Sequence, residues 1–271
     1  MPTLKVGARD VVTYDDVGQG PLVVLIHGSP GTSRVWQPVA ERLAPRFRVI
    51  APSLPGYGGT TAPPDGARGD NSYAAELIEA LVAEVGRPAA FAGYSYGGVV
   101  ALRTTLGGKI RPGALALFEP VAVPVLAAVG ETEAFVASRA VFEDYGATFD
   151  AGDRLAVRKM VDYWFGPATF DRMPAPVREY LISNTGPNVR DVRATFRDPP
   201  YSIDDLRSLT MPVLVAYGSR SPEIMVKIAQ AIASHAPQGS VERIEKANHA
   251  MITTHVDALA SLIADLAERS A

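Results

Sequence analysis

The stretch Ala92-Gly93-Tyr94-Ser95-Tyr96-Gly97-Gly98 contains the pattern G-x-S-x-G. Residues 88–92 form a short apolar run of strand length, and residues 99–106 have helical composition. This order predicts a strand, a sharp turn and a helix, with Ser95 at the turn. Bulky side chains two residues before or after the serine would crowd such a turn, and Gly93 and Gly97 avoid this. We therefore interpret Ser95 as a candidate nucleophile.

Strand-like and helical segments alternate on both sides of this turn. The predicted strands are residues 11–14, 22–26, 48–51, 88–92, 114–118, 213–217 and 241–244. Several of them are continuous apolar runs, which are typical of strands buried on both faces of a parallel sheet. Alternation of this kind predicts a parallel sheet that is covered by helices on both faces.

The alternation stops in the middle of the chain. Residues 122–205 show helical patterns, proline-containing breaks such as Met173-Pro174-Ala175-Pro176, and no clear strand. We interpret this block as a helical cap inserted over the C-terminal edge of the sheet. The remaining segments, 1–121 and 206–271, are then the core domain.

Composition excludes several classes of function. The formal net charge is −3, so no basic surface for nucleic acid or anionic membrane is indicated. The absence of cysteine excludes disulfides, thiolate metal sites and a cysteine nucleophile. No secretory signal and no apolar run of about 20 residues is visible, so we expect a cytoplasmic protein without a membrane partner. We expect no cofactor and no metal, and no particular oligomer is indicated.

Three further motifs lie before and after the serine turn. They are His27-Gly28-Ser29-Pro30, Pro55-Gly56-Tyr57-Gly58 and Asn248-His249. With these four motifs the chain resembles the α/β-hydrolase fold family over nearly its whole length. The resemblance implies an α/β fold with a mostly parallel eight-stranded sheet, flanking helices and an inserted helical cap.

A serine hydroxyl needs a base to remove its proton before it becomes a useful nucleophile. The chain has four histidines. His27 is interpreted as a brace for its own loop, His235 as the end of a surface helix, and His255 as part of the start of the last helix. His249 follows the last predicted strand, where the resemblance places the base, and we expect it to accept the proton of Ser95.

Two backbone N–H groups should bind the negative charge that develops on the substrate oxygen. One comes from the residue after the nucleophile, which is Tyr96. The resemblance implies that the other comes from Ser29, directly after His27-Gly28. Glycine and proline on either side of Ser29 favour a constrained loop over an ordinary turn.

A third residue, a carboxylate, should orient the histidine. Most members of the family carry it as the aspartate of a G-x-x-D pattern after the seventh strand, and this sequence departs from that pattern. In Gly218-Ser219-Arg220-Ser221 a serine stands where the aspartate is expected. Ser221 precedes Pro222, and this pair predicts a helix start with Ser221 at the N-cap and Pro222 at the first helical position.

Two other carboxylates are therefore candidates for the acid. Glu223 lies in the first turn of the predicted helix, where acids are common. Glu119 directly follows the apolar run 114–118, where a charge is costly unless it has a partner. Haloalkane dehalogenases and certain lactone hydrolases are similar in carrying their acid after the sixth strand. We expect Glu119 to be the acid, with Glu223, a Ser-His dyad or another carboxylate as the alternatives.

These residues predict a serine hydrolase that cleaves carboxylic esters or lactones through an acyl-serine intermediate. A serine nucleophile excludes the aspartyl-ester chemistry of haloalkane dehalogenases and epoxide hydrolases. Hydrolysis of a carbon–carbon bond and acyl transfer or perhydrolysis on the same site remain alternatives. A ligand-binding receptor with little turnover is the alternative from another class, and the missing aspartate is its support.

The predicted cap carries 11 of the 21 aromatic residues, so it is enriched in aromatic side chains. Most of them are expected to form the core of the cap. Tyr163, Trp164 and Phe165 are expected to line the substrate pocket together with Tyr94, which predicts an apolar small-molecule substrate of moderate size. The cap arginines, Arg190 among them, alternate with acids and are interpreted as solvated.

Overall fold

A computed structural model describes residues 1–65 and 67–269. Within these residues there are eight strands: β1 Thr3–Val6, β2 Asp10–Val17, β3 Leu22–Ile26, β4 Arg48–Pro52, β5 Ala90–Tyr94, β6 Ala114–Phe118, β7 Val213–Gly218 and β8 Gly239–Ile244. They form one sheet in the order β1-β2-β4-β3-β5-β6-β7-β8. Strands β3 to β8 are parallel, and β2 pairs antiparallel with both β1 and β4. The predicted α/β fold with a mostly parallel eight-stranded sheet is confirmed.

The helices surround this sheet. They are α1 Gln37–Leu43, α2 Ser72–Val85, α3 Tyr96–Leu106, α4 Pro124–Ala128, α5 Thr132–Asp150, α6 Val157–Phe165, α7 Thr169–Arg172, α8 Ala175–Ser183, α9 Thr185–Arg197, α10 Ile203–Arg207, α11 Glu223–His235, α12 Met251–Thr254 and α13 Val256–Glu268, with a 3₁₀ turn at Ser33–Trp36. Over the described residues, no helix combines the length and the apolar character that crossing a bilayer requires.

Side chains that alternate along the central strands fill two cores, one on each face of the sheet. Val24 and Ile26 of β3 belong to the cluster that packs against α2 and α3. Val23 and Leu25 of the same strand belong to the cluster that packs against α1 and α13. The continuous apolar run of β3 is thus explained by burial on both faces.

Between β6 and β7 the chain forms helices α4 to α10 and, within residues 119–212, no strand. These helices include the predicted cap, 122–205, although α10 crosses its C-terminal limit. The division into core and cap domains stays a prediction, and the last two residues of the predicted core, 270 and 271, lie outside the described residues.

Strand β1 is absent from the sequence-based prediction. It has four residues at the edge of the sheet, and its side chains alternate between exposed and half-buried positions. A strand this short without an apolar run gives little signal, and its hydrogen bonds to β2 define it instead.

The register of the parallel strands brings the ends of β5 and β6 together. Tyr94 pairs with Phe118, so the residues that follow them, Ser95 and Glu119, leave the sheet side by side. The N–H of Ser95 still donates to the carbonyl of Phe118 at 3.0 Å. The C-terminal edge of the sheet therefore places a hydroxyl and a carboxylate next to each other.

Candidate active site

Ser95 occupies a strained turn between β5 and α3. Its φ of 54° and ψ of −123° lie in a region that non-glycine residues rarely adopt. A Cβ atom at Gly93 would overlap the carbonyl of Gly97, and one at Gly97 would overlap the carbonyl of Ile26. The two glycines therefore allow the close chain approach on which this turn depends.

Ser95, His249 and Glu119 form a hydrogen-bonded series. The Oγ of Ser95 lies 3.1 Å from Nε2 of His249, and Nδ1 of His249 lies 2.6 Å from Oε2 of Glu119. The three residues are 7%, 2% and 1% exposed. The series lies between the strand ends of β5, β6 and β8, and it has the geometry in which a carboxylate orients an imidazole toward a hydroxyl.

Glu119 is held by bonds to its other carboxylate oxygen. Oε1 accepts the N–H of Gly218 at 2.8 Å and the hydroxyl of Ser221. The backbone of Glu119 has a φ of 45°, a second strained position in the site. The carboxylate is therefore fixed at both oxygens, one toward His249 and one toward the loop after β7.

The prediction that Ser221 caps a helix is wrong. Helix α11 begins at Glu223, its N-cap is Pro222, and no side chain caps it. The hydroxyl of Ser221 instead donates to the carboxylate of Glu119, which is a strong acceptor because it is charged. Glu223, the alternative acid, lies exposed in the first turn of α11.

Ser29 and Tyr96, the expected oxyanion-binding residues, line the same cavity as Ser95 and His249. Ser29 follows β3, and Tyr96 is the first residue of α3, where helix N–H groups lack partners within the helix. A Cβ atom at Gly28 would lie 3.0 Å from Cβ of Ser95, so the loop after β3 runs close to the serine.

His27 braces the loops beneath the site, as expected. Its Nδ1 lies 2.6 Å from the carbonyl of Gly28, and its Nε2 accepts the N–H of Leu54 at 2.8 Å. Burial lowers the pKa of His27 to about 4, although the bond to Gly28 opposes that shift. The ring is therefore neutral and joins the loops after β3 and β4.

An apolar cavity of about 170 Å³ opens above Ser95. Helices α5, α6 and α9 supply much of its apolar surface: Phe142, Val157, Met160, Trp164, Phe165 and Phe196. Trp164 stacks on His249 at a centroid distance of 5.3 Å, and Phe165 meets the same ring edge-on at 5.3 Å. Two aromatic side chains of α6 therefore pack directly against the imidazole.

Tyr94 and Tyr163 differ in their relation to the cavity. Tyr94 lines it, and its hydroxyl donates to the backbone carbonyl of His249. Burial raises the pKa of Tyr94, so the phenol stays neutral. The prediction that Tyr163 lines the pocket is wrong: its ring packs against Phe142 and Trp164 and its hydroxyl donates to Ser138 at 3.3 Å, because successive residues of α6 point in different directions.

Sequence reasoning missed Asp191, a carboxylate on α9 that lines the cavity and is 4% exposed. The sequence predicts that its neighbour Arg190 is solvated, but Arg190 pairs with Asp191 and donates to the carbonyl of Pro55 at 2.8 Å. The spacing Asn188, Asp191, Thr195 places three polar residues on one helix face, and this face is buried. The sequence alone does not distinguish such a face from a solvated one.

A mostly parallel sheet with serine, histidine and carboxylate in series at its C-terminal edge is the arrangement of α/β hydrolases. A model of the alpha/beta hydrolase family matches residues 23–262. The chain belongs to this family.

Relatives and solved structures agree with this assignment. A pimeloyl-[acyl-carrier protein] methyl ester esterase of Aliivibrio salmonicida (strain LFI1238) is 27% identical over 258 residues, which cover 89% of this chain and 89% of the relative. The fold is similar to that of an esterase from Exiguobacterium antarcticum, with a TM-score of 0.75, 18% identity and coverage of 98% of both chains. An enol-lactonase from Burkholderia xenovorans LB400 has a TM-score of 0.71 and 18% identity, with coverage of 98% of this chain and 99% of that one.

Proposed function

We propose that this protein is a serine hydrolase that cleaves carboxylic esters or lactones with an apolar acyl group of moderate size. The observation that carries the proposal is the buried Ser95–His249–Glu119 series at the floor of an apolar cavity. Membership of the α/β-hydrolase family and relatives that are named esterases support it.

Acylation begins when Oγ of Ser95 attacks the carbonyl carbon of the ester. The hydroxyl proton passes to Nε2 of His249, and the carboxylate of Glu119 stabilises the imidazolium that forms. The carbonyl oxygen becomes an oxyanion, which the backbone N–H groups of Ser29 and Tyr96 bind. The imidazolium then gives its proton to the leaving alcohol oxygen as the carbon–oxygen bond breaks.

Deacylation repeats these steps with water as the nucleophile. His249 removes a proton from the water, the oxygen attacks the acyl carbon, and the oxyanion returns to the same two N–H groups. Collapse of the intermediate returns a proton to Oγ of Ser95 and releases the acid. In a lactone the leaving alcohol stays joined to the acyl group, so a hydroxy acid is released.

The size and the lining of the cavity support this class of acyl group. An apolar cavity of about 150 Å³ holds a benzene-sized molecule, and this cavity measures about 170 Å³. Its predominantly aromatic and aliphatic wall provides little compensation for desolvating a charged or sugar-like acyl chain. Short or medium aliphatic acyl groups and small aromatic ones fit this space best.

The test combines turnover with covalent labelling. Purified protein is assayed against p-nitrophenyl acetate, butanoate, octanoate and palmitate, a panel of lactones and β-diketones, and it is treated with a fluorophosphonate probe. We expect hydrolysis of esters or lactones, preference for butanoate or octanoate over palmitate, and labelling at Ser95. Ser95→Ala is the control and should abolish both signals.

Two results would contradict the proposal. A protein that neither labels at Ser95 nor hydrolyses any ester or lactone would be a receptor on this fold. Turnover of β-diketones well above that of every ester would assign carbon–carbon bond cleavage.

A further inference from the structure

Asp191 is a buried carboxylate that the proposed reaction does not use. Its Oδ2 accepts the hydroxyls of Ser29 and Tyr57, each at 2.7 Å. Its Oδ1 accepts Nε of Arg190 at 3.1 Å and Nη2 at 2.9 Å. Burial raises the pKa of Asp191, and the charge of Arg190 and these hydrogen bonds oppose that rise. A carboxylate with donors on both oxygens and a cationic partner is stable as an anion in this environment.

The partners of Asp191 belong to loops that are far from it in the sequence. Ser29 follows β3 and Tyr57 follows β4, whereas Asp191 lies on α9, 162 residues after Ser29. Arg190 donates to the carbonyl of Pro55 and thus reaches the loop of Tyr57 as well. One dipeptide of α9 therefore joins the helical insertion to both core loops beside Ser95.

Ser29 receives a second bond from the same helix. Nδ2 of Asn188 donates to Oγ of Ser29 at 2.9 Å, and Oδ1 of Asn188 accepts the hydroxyl of Tyr145 at 2.8 Å. Asn188 and Asp191 are one helical turn apart and share a face. The hydroxyl of Ser29 is consequently fixed on its donor side by Asp191 and on an acceptor side by Asn188.

We propose that Asp191 is a positioning residue, which holds the hydroxyl of Ser29 so that the backbone N–H of Ser29 is oriented toward the oxyanion. The proposal rests on the proposed function and on the role of Ser29 in it. The hydroxyl is separated from its own amide nitrogen only by Cα and Cβ, so fixing one limits rotation of the other. Oxyanion stabilisation depends on donors that are already oriented when the charge develops.

Arg190 balances the negative charge of Asp191 beside the site. A lone carboxylate near the oxyanion would repel the developing charge, particularly where water is excluded. The guanidinium of Arg190 binds the oxygen of Asp191 that faces away from Ser29, so the dipeptide has no net charge. Helix α9 thus supplies a strong acceptor for Ser29 without adding net negative charge beside the site.

A double-mutant cycle tests the proposal. Ser29→Ala, Asp191→Ala and the double variant are compared with wild type on the preferred ester. We expect each single variant to lower kcat by about 10–100-fold with KM changed less than about threefold. The double variant should be less impaired than the product of the two single effects, because both single variants lose the same Ser29–Asp191 hydrogen bond.

Two further variants distinguish an effect on the position of Ser29 from an effect on folding. Ser29→Thr keeps a hydroxyl at residue 29 and should retain a kcat within about fivefold of wild type. Asp150→Asn removes an exposed ion pair between α5 and Arg193 of α9 and should leave kcat unchanged, since exposed pairs contribute little. Unfolding midpoints are measured for all variants, and Ser29→Ala keeps the Asp191–Arg190 pair intact should Asp191→Ala fold poorly.

The outcomes distinguish this proposal from the proposed function. A wild type that is inert to every ester and lactone overturns both. If the wild type is active but the two single effects multiply in the double variant, the positioning role is overturned and the hydrolase proposal stands. The same conclusion follows if the single variants change KM alone. Equal losses in Ser29→Ala and Ser29→Thr would also overturn it.

Discussion

Glu119 is the carboxylate that we propose as the acid of the site, because its Oε2 lies 2.6 Å from Nδ1 of His249. We expect Glu119→Gln to lower kcat by roughly 10²–10⁴-fold, because an amide cannot stabilise the imidazolium by charge. Glu223→Gln is the matched control, since Glu223 is exposed at the start of α11. Steady-state kinetics on the preferred ester measure both. A larger loss in Glu223→Gln would contradict our assignment of the acid.

Ser221 offers a second test of the same carboxylate. Its hydroxyl reaches Oε1 of Glu119, so a side chain at residue 221 extends to the position of the acid. We expect Glu119→Ala to be slow and Glu119→Ala/Ser221→Asp to regain about tenfold in kcat, because a carboxylate again stabilises the imidazolium. The comparison is made at equal concentrations of sites that label with the fluorophosphonate. No gain from aspartate at residue 221 would show that the acid must enter from β6.

His27 makes stability depend on pH. The unfolded chain binds a proton near the ordinary pKa of about 6.5, whereas burial lowers the folded pKa to about 4. The contribution of neutral His27 to the free energy of unfolding is therefore fully present above about pH 6.5. It is lost as pH falls toward 4, and the loss amounts to about 3 kcal/mol. Protonation would also remove the acceptor of the Leu54 N–H. Urea unfolding should show a steeper fall in wild type than in His27→Gln, and parallel curves would contradict this.

At the scale of the element, the turn between β5 and α3 depends on glycine. A Cβ atom at Gly97 would overlap backbone carbonyls of Ile26 and His27, which cannot rotate away. We expect Gly97→Ala to lower the free energy of unfolding by about 3 kcal/mol or more and to reduce fluorophosphonate labelling. Gly186→Ala, in the first turn of α9, is the matched control. Its Cβ would lie 3.4 Å from Phe149, so a gain of about 0.5 kcal/mol is expected.

If both glycine variants unfold at the same urea concentration as wild type, the close packing of the serine turn has no energetic importance. If both variants lose the same free energy of unfolding, the loss results from adding a methyl group at a helix start and not from the packing of the serine turn. Only a loss confined to Gly97→Ala supports the packing argument, because both substitutions add one methyl group to a helix start.

The elements differ in how far the sequence predicts them. The central strands and the serine turn are predictable, because β3 and β6 are continuous apolar runs and the glycines around Ser95 have a local cause. The edge strand β1 is missed, since it depends on pairing with β2 rather than on its own composition. Ser221 is misplaced for the same reason: its true partner, Glu119, lies 102 residues away.

The candidate site follows the same division. Ser95 and His249 belong to motifs with neighbours in sequence, and the structure brings them to 3.1 Å. Asp191 belongs to no motif, and its meaning comes from contacts with Ser29 and Tyr57 that only the folded chain creates. Tyr163 and Trp164 are adjacent in sequence, yet only Trp164 reaches the cavity, because their orientation depends on how α6 packs.

At the scale of the whole molecule, the cavity lies between the loops at the C-terminal edge of the sheet and helices α5, α6 and α9. Trp164 of α6 stacks on His249 and forms part of the cavity wall, so we expect the size of this side chain to limit the length of the acyl group. We expect Trp164→Ala to raise the ratio of kcat/KM for p-nitrophenyl octanoate over butanoate about tenfold. Enlarging an apolar pocket favours the longer chain, because more of it leaves water.

The ratio is the informative quantity in this experiment, since loss of the stacked ring also disturbs His249 and lowers both rates. Tyr163→Phe is the matched control: it removes a hydroxyl from the adjacent residue, which lies behind Trp164, and should keep the wild-type ratio. A ratio that falls or stays constant in Trp164→Ala would place the acyl group elsewhere in the cavity. A ratio that rises equally in Tyr163→Phe would assign the change to loosening of α6, because that variant leaves the cavity wall intact.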